Sequence, residues 1–256
     1  MKIPNIFYGW KIVGTSVLCF SASPGQFLIG AFSLFIIPLE LEFGWSRTEI
    51  ALTTAFFTIV QAVMNPMIGK LIDRHGSKEI LIPTALIFGL MLAIIPLIVS
   101  ETWHLYLIYS ILGVIAGGCS AIPYLRFAAA WFNKKRGLAF GLTMSGGGLG
   151  YAYTPPLVQY MIDNYGWHSG YYILSAIVVL IAVPLMYLFL FNKPADLNMY
   201  PDGNSSPVEL KTAINDEKEI PLKELLKSST FWKLYVIFVF LTFCLYGLML
   251  QLVPML

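Results

Sequence analysis

Charge is scarce in this chain. Asp, Glu, Lys and Arg make up 12% of its 256 residues, against ~25% in a typical soluble domain. Hydrophobic residues make up 57%. That balance excludes a soluble enzyme, a nucleic-acid binder and a disordered chain. Cysteine is nearly absent. Cys19, Cys119 and Cys244 each fall within an apolar run, which excludes a disulfide framework and reads as packing. Histidine is as rare. His75, His104 and His168 stand at the ends of apolar runs, so neither a metal site nor a cofactor is expected. No His-Glu-x-x-His, Gly-x-Gly-Asp or Gly-x-Ser-x-Gly phrase occurs. That argues against an intramembrane protease, and the chain is not expected to be an enzyme.

What is present is length without charge. Seven stretches hold no Lys, Arg, Asp or Glu: 12–39, 50–69, 80–100, 102–125, 137–162, 164–192 and 234–256. A membrane-crossing helix needs ~20 mostly apolar residues, and a barrel strand only ~9–11. The pattern predicts an all-α membrane protein with seven spans in a lipid bilayer, numbered in chain order. The first run is too long for the h-region of a signal peptide and lacks its cleavage pattern. Cations set the orientation. With the N-terminus inside, Lys2, Lys11, Lys70, Arg74, Lys78, Arg126, Lys134, Lys135, Arg136 and every later Lys face the cytoplasm, and only Arg47 faces out. An integral protein of the plasma (inner) membrane with a cytoplasmic N-terminus is expected. This orientation disfavours a seven-helix receptor, whose N-terminus lies outside. Lys233, at the entrance of the seventh span, is no mid-span retinal lysine.

The remaining charge marks the domain plan. Thirteen charged residues crowd between Lys193 and Lys233. Residues 1–192 are expected to form a six-helix domain, 193–230 a polar cytoplasmic linker, and 231–256 the first helix of a truncated second domain. Within the linker, Pro221–Lys227 reads as either a short interfacial helix or a solvated stretch.

The six-helix part contains a repeat. Pro66, Ile72-Asp73 and Gly76 recur as Pro156, Ile162-Asp163 and Gly166, an offset of 90. Leu52-Thr53 matches Leu142-Thr143 at the same offset. Three spans separate the copies, so the second copy enters the membrane upside down. An inverted three-plus-three repeat is a hallmark of secondary transporters. The cations after Asp73 are absent after Asp163, and Trp167 stands there as an expected interfacial residue.

Gly69-Lys70-Leu71-Ile72-Asp73-Arg74-His75-Gly76-Ser77-Lys78 resembles the loop 2–3 signature of the major facilitator superfamily, Gly-x-Leu-x-Asp-Arg-x-Gly-Arg-Arg/Lys. It departs at Ser77, where the family has Arg. The resemblance implies that Asp73 latches two six-helix halves together, with Gly69, Arg74, Gly76 and Lys78 completing the gating motif. Arg74 and Lys78 also suit plain positive-inside anchoring. In the fifth span Gly141, Gly150, Thr154 and Pro155 look like the family's glycine-rich pattern, with Thr154 replacing a Gly. Gly141, Gly146, Gly150, Pro155 and Pro156 are expected to serve helix packing and bending. Gly146-Gly147-Gly148 lacks the Lys-Ser/Thr of a phosphate loop. With Gly113 as its glycine, the fourth-span Arg motif of drug exporters would put Arg at Tyr109. Tyr8-Gly9-Trp10, the phrase from Trp131 to Gly141 and Tyr165-Gly166-Trp167 look similar to the oxalate/formate antiporter and monocarboxylate porter group. The resemblance implies a transporter of a small solute, a mono- or dicarboxylate favoured and a sugar or other neutral solute the alternative, working by alternating access. It also implies that the chain is one half of a transporter plus the first helix of a missing C-terminal half.

In that superfamily the first and fourth spans line the central cavity. Here each carries a small, weakly polar stripe: Ser16, Cys19, Ser23, Gln26, Gly30, Ser33, and Ser110, Gly113, Gly117, Ser120, Tyr124. Such stripes suit packing or cavity lining. Gln26, long and mid-span, favours the cavity, and Gln61, Asn65 and Tyr124 are further candidates. Arg126 is either an anion-binding group facing the cavity or a side chain snorkelling to the headgroups. At 100° per residue it points away from the small stripe of its own helix. If that stripe packs, Arg126 is free to face the cavity. No Asp or Glu lies inside any run, which disfavours a cation as cargo.

Overall fold

The computed structural model describes residues 7–203 and 227–252. Among these residues all regular structure is helical. The chain divides into two compact units, Met1–Ser205 and Ser206–Leu256.

In the first unit six helical rods follow one another with short turns. The first rod is α1 (Tyr8–Ser21), a π turn (Gly25–Ile29) and α2 (Phe32–Phe43). The second is α3 (Arg47–His75) and the third α4 (Ser77–Ile98). The fourth is α5 (Thr102–Ala116), a 3₁₀ turn (Gly117–Cys119) and α6 (Ala121–Trp131). The fifth is α7 (Arg136–Tyr165), and the sixth runs α8 (Trp167–Ala176), a π turn (Ile177–Ala182) and α9 (Val183–Phe189). The predicted spans one to six thus coincide with the rods. Five stretches are long and apolar enough to cross a membrane: Tyr8–Ile29, Arg47–His75, Ser77–Ile98, Thr102–Trp131 and Trp167–Phe189. The helix α7, rich in glycine, threonine and tyrosine, is as long as the longest of these. In the second unit α10 (Ser229–Leu252) coincides with the seventh span.

The repeat is visible in three dimensions. Successive antiparallel rods place the second and fifth in opposite directions. Both end on a glycine with positive φ, Gly76 at 102° and Gly166 at 81°. In each the glycine N–H closes the last turn, onto Ile72 O and Ile162 O, at 2.9 Å in both. A side chain there is strained, which is why both copies keep Gly. Thr53 and Thr143, the other matched pair, are both fully buried. The two most extensive helix pairings are also equivalent, second rod on fourth and fifth rod on first.

Small residues set both pairings. A Cβ at Gly113 would meet Phe57 O at 2.6 Å and Val60 Cβ at 3.1 Å, and one at Gly117 would meet Ile68. Across the other seam, a Cβ at Gly146 or Gly150 would run into the backbone oxygen of Val17 or Ser21. Gly146 and Gly150 therefore lie in this seam. Gly69 and Gly141 do not: a Cβ at either would meet nothing within 4 Å. Both lie on the open face of the bundle, which repeat matching cannot distinguish from a seam. No break appears at Pro155-Pro156, since α7 runs unbroken through them. The bends fall instead at Ala22–Pro24 in the first rod and Gly117–Ser120 in the fourth. Pro24 lacks an N–H to continue α1. Ser120 is extended, and its Oγ accepts the N–H of Ile122 to restart the helix.

The core is aromatic. Tyr109 OH and Tyr171 OH share a buried hydrogen bond of 2.9 Å, and Phe32, Phe57 and Phe35 pack edge-on or stacked against these rings. Trp167 departs from the interfacial expectation. It is buried, and its indole N–H donates to Glu42. Its ring fills the bundle end instead of facing lipid.

The compact body does not stop at 192. Residues 193–203 fold onto it as two 3₁₀ turns, Pro194–Leu197 and Pro201–Gly203. The rest of the expected linker up to residue 226, including nearly all of Pro221–Lys227, lies outside the described residues, as do 253–256.

Candidate functional site

The residues of the loop 2–3 signature lie at the bundle end that carries most of the basic loops. Asp73 sits in the last turn of α3. Its partner is Arg126, in the second turn of α6, whose Nη2 donates to Asp73 Oδ1. The Gly113 and Gly117 seam holds the second rod close enough to the fourth for these side chains to meet. Both remain well solvated, with side-chain exposures of 63% for Asp73 and 42% for Arg126. The partner of the signature carboxylate is thus a guanidinium from the same six-helix body.

Arg126 belongs to a distinct face of the fourth rod. Leu107, Ile111, Val114, Ile122 and Arg126 are exposed, recurring at steps of three or four or a multiple of them. The small stripe on the other side packs: Gly113, Gly117 and Tyr124 are buried. Ser16, Cys19, Ser23 and Gln26 of the first rod are buried too. Arg126 lies on the exposed side of its rod, away from the packed stripe.

The other signature residues divide. Arg74 and His75 form the exposed last turn of α3. Gly76 supplies the positive φ that ends it. Lys78 is engaged within the body. Its ammonium donates to Tyr187 O at 2.9 Å and lies 4.7 Å from the centroid of the Phe191 ring. Its backbone N–H donates to Asn192 Oδ1 at 3.0 Å. Asn192 Nδ2 in turn reaches both Glu79 oxygens, at 2.9 and 2.7 Å. Sequence reading missed Asn192 and Glu79. The only sequence signal was an uncharged amide, Asn192, at the end of the sixth span.

A second group sits in the interior. Gln26, in the π turn of the first rod, lies against Gly147 and Gly150 of α7. Tyr124, on the first turn of α6, stacks obliquely on Phe20 with centroids 5.4 Å apart. Its hydroxyl lies beside Ser23 but makes no hydrogen bond of good geometry. Ser16 Oγ, Ser23 Oγ and Gln26 Oε1 are likewise buried without a hydrogen-bond partner. Gln26 and Tyr124 are thus buried among the first, fourth and fifth rods. Gln61 and Asn65 stand apart from them on the seam between the second and fourth rods, beside Gly113 and Gly117. Buried polar groups left unpaired cost ~1–3 kcal/mol each. Water or a polar solute admitted here would satisfy these groups. Among the described residues no three His, Cys, Asp or Glu side chains gather as metal ligands.

The comparisons agree with this architecture. The chain is similar to an uncharacterised MFS-type transporter of Bacillus subtilis, 24% identical over 166 residues, covering 64% of this chain and 40% of that protein. It is similar to monocarboxylate transporter 2 of Homo sapiens, 24% identical over 234 residues, covering 90% of this chain and 46% of that protein. It is also similar to a fujikurins efflux protein of Gibberella fujikuroi, 26% identical over 162 residues, covering 62% of this chain and 34% of that protein. The chain spans less than half the length of these relatives. The family model described as Major Facilitator Superfamily matches residues 18–256. With that match, the six-rod body built on an inverted repeat and the signature after the second rod, the chain belongs to the major facilitator superfamily.

Proposed function

We propose that this chain is the N-terminal portion of a secondary transporter that moves a small organic anion, a mono- or dicarboxylate, by alternating access. It would sit in the plasma (inner) membrane with its N-terminus and basic loops in the cytoplasm. The observation that carries the choice of cargo is Arg126. It is a guanidinium on the outward face of the fourth rod, and it already holds one carboxylate, that of Asp73. A carboxylate solute would compete for the same fork of N–H donors. The name of the human relative, a monocarboxylate transporter, points the same way. Gln26 and Tyr124 would contribute neutral hydrogen bonds once the rods separate, and Asp73 would serve the cytoplasmic gate.

The test is flux in proteoliposomes made from the full-length transporter. Saturable uptake of oxalate, formate or lactate, stimulated by counter-anion inside, is expected. Arg126→Gln is expected to raise the KM for that anion about tenfold or more, the scale of a lost charge-assisted hydrogen bond. Uptake of a sugar or an amine with none of the three anions overturns the carboxylate reading. If the solute taken up is the sugar, the enclosed neutral group of Ser23, Gln26 and Tyr124 would mark a neutral-solute transporter.

A further inference from the structure

The stretch after the sixth rod does more than leave the bundle. We propose that residues 191–203 form a staple that locks loop 2–3, loop 4–5 and the N-terminal end of the first rod into one unit. It does not depend on what the protein carries.

The staple is fastened at both ends and in the middle. At its start, the Phe191 carbonyl accepts the indole N–H of Trp131 at 2.9 Å, and Trp131 is fully buried. Asn192 then reads loop 2–3 with both ends of its amide, accepting from Lys78 N and donating to Glu79. In the middle, Asp196 accepts the N–H of Lys193 at 3.0 Å and caps the first 3₁₀ turn. Pro194 is buried, and Leu197 packs on the core. The turn closes through Asn198, which takes the left-handed conformation, a geometry Asn tolerates better than most residues.

At its end, Asp202 clasps loop 4–5. Its Oδ2 accepts the backbone N–H of Asn133 at 3.1 Å and of Lys134 at 3.0 Å. These two amides lie just ahead of α7, where a carboxylate is favoured by both the open N–H groups and the helix dipole. Asp202 holds φ at 60° to make this reach, a strained setting for a non-glycine residue. Gly203 follows with φ of 74°, close against Phe7. Phe7 in turn packs on Trp131 and Phe132. A solvated tether has no reason to bury a proline, hold two non-glycine residues in the left-handed region and satisfy two specific loop amides. Such strain persists where the surroundings over-determine it.

Hydrogen–deuterium exchange on the chain in lipid nanodiscs tests this. The amides of Lys78, Asn133, Lys134 and Met199 are expected to be protected in the wild type. Asp202→Ala removes a charge-assisted acceptor and is expected to speed Asn133 and Lys134 about tenfold. Because one staple serves both loops, it should also speed Lys78 severalfold, although Lys78 does not touch Asp202. Asn192→Ala should have the mirror effect on Asn133 and Lys134. Unchanged exchange at the amides around Gly166 in both variants shows that the fold is intact. Should Asp202→Ala unfold the chain, Asp202→Asn, which keeps a neutral acceptor, is expected to give smaller changes at the same amides. Protection at Lys78 that ignores Asp202 reduces the stretch to two separate caps and overturns the staple. Residues 191–203 exchanging as fast as an unstructured peptide in the wild type would overturn it as well.

Discussion

Asp73 and Arg126 meet in plain view of solvent. An exposed ion pair contributes at most ~1 kcal/mol to stability. The pair therefore adds little to folding. Asp73→Asn is expected to leave membrane insertion and thermal unfolding nearly unchanged and to cut flux of the full-length transporter about tenfold or more, the scale of a lost ion-pair contact in a gate. Normal flux in that variant would remove Asp73 from the gate. The exchanged pair Asp73→Arg with Arg126→Asp separates two roles. If the pair itself is the working part, the exchange restores flux. If Arg126 receives the anion, as proposed, the exchange does not, because the cation is then on the wrong rod.

At the scale of elements, glycine position decides which seams are tight. Gly113 and Gly150 are filled on the far side by backbone of the second and first rods, while Gly141 faces open space on the same helix as Gly150. Gly150→Ala and Gly113→Ala are expected to destabilise by ~1–3 kcal/mol through overpacking. Gly141→Ala is expected to be neutral or to stabilise by up to ~1 kcal/mol through helix propensity. Thermal unfolding in detergent distinguishes these directions, and equal shifts for all three would refute the seam assignment. The contrast also shows how far sequence reading reaches. The rods were legible because hydrocarbon thickness sets a minimum charge-free length, and six described rods fall on six charge-free runs. The repeat was legible because a helix terminus such as Gly76 or Gly166 needs a residue without Cβ. Which face of a helix meets a neighbour was not legible, since Gly141 and Gly150 differ only in what lies across from them. The partner of Asp73 was not legible either. Arg126 is 53 positions away in sequence, and both residues had separate, sufficient reasons to be where they are. Asp202 escaped notice for a related cause: a polar stretch with Pro, Asp and Gly reads as a linker whether or not it is fastened.

For the molecule as a whole, the decisive quantity is which side each loop faces. His75 and Tyr165 occupy the same place in the two copies of the repeat, each the last residue of a long helix before a positive-φ glycine. Three antiparallel crossings separate them, so an inverted repeat must put them on opposite sides of the membrane. Both are exposed, and the two buried cysteines, Cys19 and Cys119, are poor targets for a reagent in water. In a Cys244→Ser background, an impermeant maleimide added to intact cells is expected to label Tyr165→Cys and Ser100→Cys. It should label His75→Cys only after the membrane is opened. The sign follows from charge alone. His75 lies beside Lys70, Arg74 and Lys78, and the positive-inside bias holds such a loop in the cytoplasm, whereas the Tyr165 turn carries Asp163 and no Lys or Arg. Labelling of His75→Cys from outside with Tyr165→Cys protected would invert the orientation and leave the repeat intact. Labelling of both from one side would break the repeat itself, and with it the alternating-access reading that two oppositely inserted triplets of helices support.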